Sequence, residues 1–329
     1  MVRLRTADPS APGWTLRRNG TGIRVLDERG RVITDEERRE RVNALSIPPA
    51  WSTVWIAPQP NAHIQAVGTD SQGRRQYIYH EQWSRARARQ KYDRALELAV
   101  SLPSARAVVT RDLRGAAGTR ERALAVAFRL LDSALLRVGS ERYERAHGSR
   151  GLTTLLGSDA HVHGNTVLLE FVGKGAVDWS SETSDPDLAA AVRSLKRRGP
   201  DARLLAWKDD AEWRPLHATE VNEYVRARTH GDFTAKDFRT LHGTVLAAQA
   251  LAAEGPQDDA RARKQAIVRA TAVTALALGN TPAIARANYI DPRVFDRYRD
   301  GRVLATGSIA AERAVRALIL GDPGEPGGR

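Results

Sequence analysis

The sequence predicts an α+β fold: a small antiparallel β domain at the N-terminus, then a larger, mainly α-helical domain carrying a β-hairpin. Three observations predict it. Residues 14–83 consist of short runs alternating apolar and polar residues between Pro, Asn and Gly, as half-buried strands do. From about residue 84 onward, apolar residues recur in long stripes at helical spacing. A single β-like interruption, "HVHGNTVLLEFVGKGAVDWSSE", covers residues 161–182.

Taken in order, "GIRVLDERGRVIT" reads as a hairpin, with Ile23, Val25 and Ile33 around a Glu28-Arg29-Gly30 turn. "DEERRERVNAL" is a short charged helix, and "TVWIAP", "IQAVGTD" and "RQYIYHEQW" are strand-like. A linker near residues 80–90 separates the β domain (1–90) from the helical domain (91–320). In the latter, "SRARARQKYDRALELAV", "TRERALAVAFRLLDSALLRVG", "KDFRTLHGTVLAAQALAA" and "DDARARKQAIVRATAVTALALG" are helices, the last stopped by Gly279. The 161–182 stretch turns at Gly164-Asn165 and again at Gly173-Lys174-Gly175. In "GNTPAIARANYIDP", Thr281 caps a short helix with Pro282 at its first position, and Pro292 ends it before Asp291. Tyr289 then lies at the helix exit. The tail "GDPGEPGGR" (321–329) is expected to be disordered. No internal repeat is evident.

Composition narrows the function. With no cysteine, disulfides, thiolate metal sites and a Cys nucleophile are excluded. The formal net charge is +12 and the pI about 10.5, which favours a polyanionic partner, most simply nucleic acid. Residues 1–90 hold 15 Arg against 9 Asp and Glu, half of the whole excess in a quarter of the length. No apolar run reaches the ~20 residues of a membrane span, and the N-terminus lacks a signal-peptide core, so a cytoplasmic location is expected.

Phosphate loops (GxxxxGK[ST]), GxSxG elbows and HExxH are all missing from the sequence. His161 and His163 alternate on one strand and share a face, but no carboxylate cluster accompanies them, so no metal site is expected. What remains is a set of dispersed cations and a tyrosine. Phosphodiester transesterification needs little more: an in-line nucleophile, cations for the pentacoordinate phosphate, and an acid for the leaving oxygen. Arginine suits the cation role, lysine the acid, and tyrosine can attack when positive charge is close.

Five motifs then carry a resemblance. "LLRVGSERY…GLTTL", "EFVGKG", "KDFRTLHGT" and "LGNTPAIARANYIDP", preceded by "IPPAWSTVWIAPQPNAHIQAVGTDSQGRRQYIYHEQW", occur in the order of the type IB DNA topoisomerases. The chain resembles the compact poxvirus-like form found in bacteria over residues 15–305. The resemblance implies two domains that clamp duplex DNA as a monomer associated with the nucleoid, and relaxation of supercoils of both signs without ATP or a divalent metal. It implies that Arg137 and Arg239 hold the phosphate, that Lys174 is the general acid, and that Tyr289 becomes linked to a DNA 3′-phosphate. Asn280 falls where many members have histidine. As a neutral donor it can bond a non-bridging oxygen but cannot carry charge. In the β domain, Arg74, Arg75, Gln76 and Tyr77 are expected to face the major groove.

Singly, each residue has an ordinary reading: Arg137 as a solvated helix-end arginine, Lys174 as a turn lysine, Arg239 as a surface arginine, Asn280 as a turn residue. Two other functions compete. A tyrosine recombinase uses a similar constellation, but usually has His three residues before the second arginine, where this chain has Lys236, and a helical N-terminal domain. A non-catalytic DNA-binding protein explains the charge but not the ordered motifs.

Overall fold

The computed structural model describes residues 3–19, 22–305 and 311–321. The chain divides into two compact units, residues 1–90 and 91–329.

The first unit is a five-stranded antiparallel sheet: β1 (Trp14–Asn19), β2 (Gly22–Leu26), β3 (Ser52–Ile56), β4 (Ile64–Thr69) and β5 (Arg75–Tyr79), in the order β2-β1-β3-β4-β5. Helix α1 (Glu36–Ala44) precedes β3. Asp35 starts it, its carboxylate accepting the Arg38 N–H at 2.9 Å. The core gathers Trp14, Val25, Ile33, Val42, Val54, Ile56 and Ala66. The 23–33 segment is less than the expected hairpin. β2 takes β1 as its full partner, and only a Leu26–Val32 bridge closes the return. The turn itself lies at Glu28-Arg29-Gly30 as expected, held by Asp27, whose carboxylate accepts the N–H groups of Arg29 and Arg31, both at 2.9 Å.

The segment read as a linker near 80–90 is helical. It opens α2 (Glu81–Leu113), which carries apolar residues at helical spacing throughout its second half. In the second unit, α3 (Arg120–Ala134) is buried along most of its length from Ala123 to Leu131 and packs against the surrounding elements. These include α5 (Pro186–Lys196), α6 (Ala218–Thr229) and α7 (Ala235–Glu254). A short α4 (Glu141–His147) precedes the sheet β6 (Ala160–His163), β7 (Thr166–Gly173) and β8 (Val177–Ser184). The remaining helices are α8 (Ala260–Ala277), α9 (Pro282–Asn288), α10 (Pro292–Arg299) and α11 (Ala311–Leu320). A second β element went unforeseen: β9 (Ala206–Asp209) pairs with β10 (Glu212–Pro215). Its four-residue strands are too short to leave a clear alternation.

The helix expected to run through "LLRVG" stops earlier, at Ala134, where Leu135 turns left-handed (φ 56°). Gly139 lies four residues beyond its C-cap, Leu135. The tail from residue 322 onward lies outside the described residues. Among the described residues, no single helix is long and apolar enough to cross a membrane.

Candidate active site

Arg239 lies on the second turn of α7, and that turn is strongly held. Asp237 accepts hydrogen bonds from the N–H and hydroxyl of Thr234, both at 2.8 Å, so the cap rests on the Asp carboxylate. Arg94 of α2 donates to the same carboxylate, its Nη2 2.8 Å from each oxygen. The Arg239 side chain is 2% exposed, far from a surface arginine. Its Nη1 donates to the carbonyl of Leu135 and its Nη2 to that of Leu278, at 2.7 Å for the latter. These are the residues that terminate α3 and α8, whose last carbonyls lack partners within their own helices. One guanidinium thus pins two helix ends. Burial, reinforced by the charge of Arg137, pushes its pKa down to about 10, with Tyr289 partly offsetting them. It stays cationic at neutral pH.

Arg137 follows the end of α3 in an irregular segment fixed by backbone bonds. The N–H of Leu152 donates to the Arg137 carbonyl, and that of Thr153 to the Val138 carbonyl, both at 2.9 Å. Gly139 and Gly151 lie backbone to backbone; a Cβ on Gly151 would sit 2.7 Å from the Gly139 Cα. That close approach explains the paired glycines of "LLRVG" and "GLTTL". The Arg137 guanidinium donates to Asn280 Oδ1 at 2.6 Å and to the Gly279 carbonyl at 3.3 Å. A guanidinium only donates, so it fixes the amide with its oxygen inward. Asn280 Nδ2 is left buried and without a partner.

The stretch from Gly279 to Pro292 folds as its sequence suggests. Gly279 turns left-handed (φ 55°), with the Trp179 ring of β8 2.9 Å from where a Cβ would be. Thr281 caps α9, its hydroxyl accepting the Ile284 N–H at 3.3 Å. At the exit, Asp291 caps α10 and accepts the Arg293 N–H at 3.0 Å. Between them the Tyr289 backbone sits directly on α7. A Cβ on Gly243 would lie 2.7 Å from the Tyr289 carbonyl oxygen, and Thr244 Oγ1 lies 3.3 Å from the same atom. The Arg239 Cζ stands 5.0 Å from the Tyr289 ring centroid.

Lys174 is exposed in the turn between β7 and β8, where Gly175 and Ala176 take positive φ (78° and 57°). Lys174, Arg137, Asn280, Tyr289 and Trp179 line one cleft of about 980 Å³. The structure thus brings the five expected residues to one place, with Arg239 forming the wall behind Tyr289. Sequence reasoning missed Trp179, Gly243 and Thr244. A glycine inside the "LHGT" helix was a usable signal, because it costs ~1 kcal/mol there unless something packs closely.

The first unit divides its expected set. Arg75 and Tyr77 lie on the exposed side of β5 together with Tyr79, whereas Gln76 alternates to the opposite side with Ile78. Tyr77 and Tyr79 stack at 5.8 Å, and the Arg75 Cζ lies 5.9 Å from the Tyr77 ring. Arg74 and Gln76 both donate to Asp70 Oδ2 at 2.8 Å. Those bonds, with backbone N–H groups foremost, hold the Asp70 carboxyl down at about 2. His161 and His163 are on the solvent side of β6 as expected, His161 3.9 Å from Glu170. Among the described residues, no group of three or more His, Asp or Glu side chains is gathered as metal ligands would be.

Comparison with known proteins gives two family matches. Residues 80–303 match the family described as eukaryotic DNA topoisomerase I, catalytic core. Residues 22–70 match that described as bacterial DNA topoisomerase IB, N-terminal domain. The chain is also similar to DNA topoisomerase 1B of Acanthamoeba polyphaga mimivirus: 28% identical over 268 residues, covering 79% of this chain and 80% of the relative.

Proposed function

The chain belongs to the type IB DNA topoisomerase family, and from that premise we propose that it relaxes duplex DNA of both supercoil signs by transient single-strand transesterification through Tyr289. It is a DNA topoisomerase, an isomerase whose partner is DNA. The observation that carries the finer reading is the cleft in which Tyr289 meets Arg137, Lys174 and Asn280, with the Arg239 guanidinium against its ring.

In this reading the Tyr289 Oη attacks the phosphorus in line. The P–Oη bond forms as the P–O5′ bond breaks, leaving a 3′-phosphotyrosine and a 5′-hydroxyl end. The tyrosine proton leaves to solvent, and Lys174 protonates the departing 5′-oxygen. Arg137 and Arg239 carry the charge that builds on the non-bridging oxygens. The buried, unpartnered Nδ2 of Asn280 is a ready donor for one of these oxygens; burying such a donor unpaired costs about 1–3 kcal/mol, which a phosphate oxygen would recover. Resealing is the reverse attack by the 5′-hydroxyl. Since one phosphodiester is exchanged for another, the bond energy is retained and ATP has no step to drive. The charge work that a divalent metal does elsewhere falls to the arginines and Lys174. Arg75 and Tyr77 would contact the duplex from the first unit, and the enzyme would work as a monomer on the nucleoid in the cytoplasm.

A supercoiled plasmid of each sign, incubated in EDTA without ATP, tests this. Stepwise relaxation of both is expected. An absolute need for Mg²⁺ or ATP, or strand exchange between paired sites in place of relaxation, would overturn it.

A further inference from the structure

Helix α9 delivers Tyr289, and its last turn leaves carbonyls without partners in the helix. Two consecutive residues of α2 take them up. Lys91 Nζ donates to the Asn288 carbonyl at 3.0 Å, and the Tyr92 hydroxyl to that of Ala287 at 3.4 Å. The next residue, Asp93, pairs with Arg293 at 2.7 Å, and the same Arg293 nitrogen lies 2.7 Å from Asp291. Three adjacent side chains of α2 therefore grip the chain on both sides of Tyr289.

We propose that Lys91 is a positioning residue for the nucleophile: its ammonium, supported by Tyr92, fixes the peptide that joins α9 to Tyr289 and so sets where the hydroxyl lies. The inference rests on the reading of Tyr289 as nucleophile. Lys91 touches no reacting atom in this scheme. Its contact is with the carbonyl immediately before the tyrosine, where a small displacement is carried directly to the ring. A nucleophile misplaced by ~1 Å can lose ~100-fold in rate.

The charge is kept there at a cost. Burial, helped by the field of Lys236 at the start of α7, brings Lys91 down to about 8, with Asp291 of the α10 cap opposing them. The adjacent Asp93 pairs with Arg293, and the Lys91 ammonium lies 4.1 Å from the Tyr92 ring centroid. Tyr92, raised to about 12 by burial and by Asp291, remains a donor across the useful range. A charged donor holds a carbonyl about twice as strongly as a neutral one. The grip on Asn288 therefore weakens as pH rises through 8.

Single-turnover cleavage of a suicide duplex at saturating DNA tests this with Lys91→Met and Lys91→Arg. Lys91→Met is expected to cleave about tenfold more slowly or worse, with unchanged DNA affinity. Lys91→Arg, which keeps a donor that does not titrate in this range, is expected to return within about threefold. The ratio of the Lys91→Arg rate to the wild-type rate should rise as pH passes 8. A Lys91→Met enzyme at wild-type rate, or a ratio that stays flat from about pH 6.5 to 9.5, overturns the proposal. Adduct formation by Tyr289→Phe would instead overturn the reading beneath it, so the two failures are distinguishable.

Discussion

The second-unit cleft and the β5 face of the first unit both set an arginine against a tyrosine, at similar distance but in opposite surroundings. Arg239 is 2% exposed, with its Cζ 5.0 Å from the Tyr289 ring. Arg75 is exposed, with its Cζ 5.9 Å from Tyr77, itself 40% exposed. The first arginine is desolvated, fixed by two helix-end carbonyls and displaced in pKa. A charge held this way needs no reorganisation when negative charge develops beside it, which is what a transition state uses. The second stays hydrated and screened, which suits reversible, salt-dependent attraction to phosphate. In the proposed reading, burial separates a residue suited to rate from one suited to affinity.

Four substitutions sharpen or break that contrast. Arg239→Ala is expected to slow single-turnover cleavage by about 10²–10³-fold while leaving duplex affinity within about twofold. If affinity collapses and rate at saturation does not, the contrast is wrong. Gly243→Ala forces the Tyr289 backbone away, since the new methyl would lie 2.7 Å from its carbonyl oxygen. Cleavage should fall about 100-fold, with far-UV circular dichroism unchanged.

The third concerns the polar cluster that joins α2, α3, α7 and α11. Asp132 of α3 takes hydrogen bonds from Arg106 (2.7 and 2.9 Å) and faces His242 (3.2 Å), and Arg106 also reaches Glu312 of α11. Burial alone would raise the Asp132 carboxyl, but those partners hold it below its ordinary value. A carboxyl lowered in the folded state contributes stability that is complete above its unfolded pKa of ~3.9 and is lost as pH falls below it. Asp132→Asn should cost about 3 kcal/mol near neutrality and flatten the acid limb of the unfolding curve. An unchanged acid limb would remove Asp132 from that role. The smallest effect belongs to Arg75→Ala: the slope of log affinity against log salt should drop by about one, with cleavage at saturating DNA unchanged.

Much of this was legible in the sequence, for physical reasons. Thr281 and Pro282 act at the start of their own helix, so their capping could be read locally, whereas Asp291 and Pro292, read only as the stop after α9, also open α10. The motif order pointed to Arg137, Lys174, Arg239, Asn280 and Tyr289, and these do meet in or against one cleft. What stayed hidden depends on partners distant in the chain. The early end of α3 falls at Leu135, whose carbonyl is taken by Arg239 from 104 residues away, and the burial of Arg239 comes from the ends of α3 and α8. Lys91 gave no signal, because its carbonyl partner is 197 residues away. On β5 the alternation was readable, yet Gln76 was grouped with Arg75 although period-two geometry sends them to opposite faces.

The most direct measurement is to trap the covalent complex on a suicide duplex, digest it and map the modified peptide by mass spectrometry. The account predicts a single adduct on Tyr289, joined to a DNA 3′-phosphate and lost in Tyr289→Phe. An adduct on another residue, or one joined through a 5′-phosphate, would contradict it.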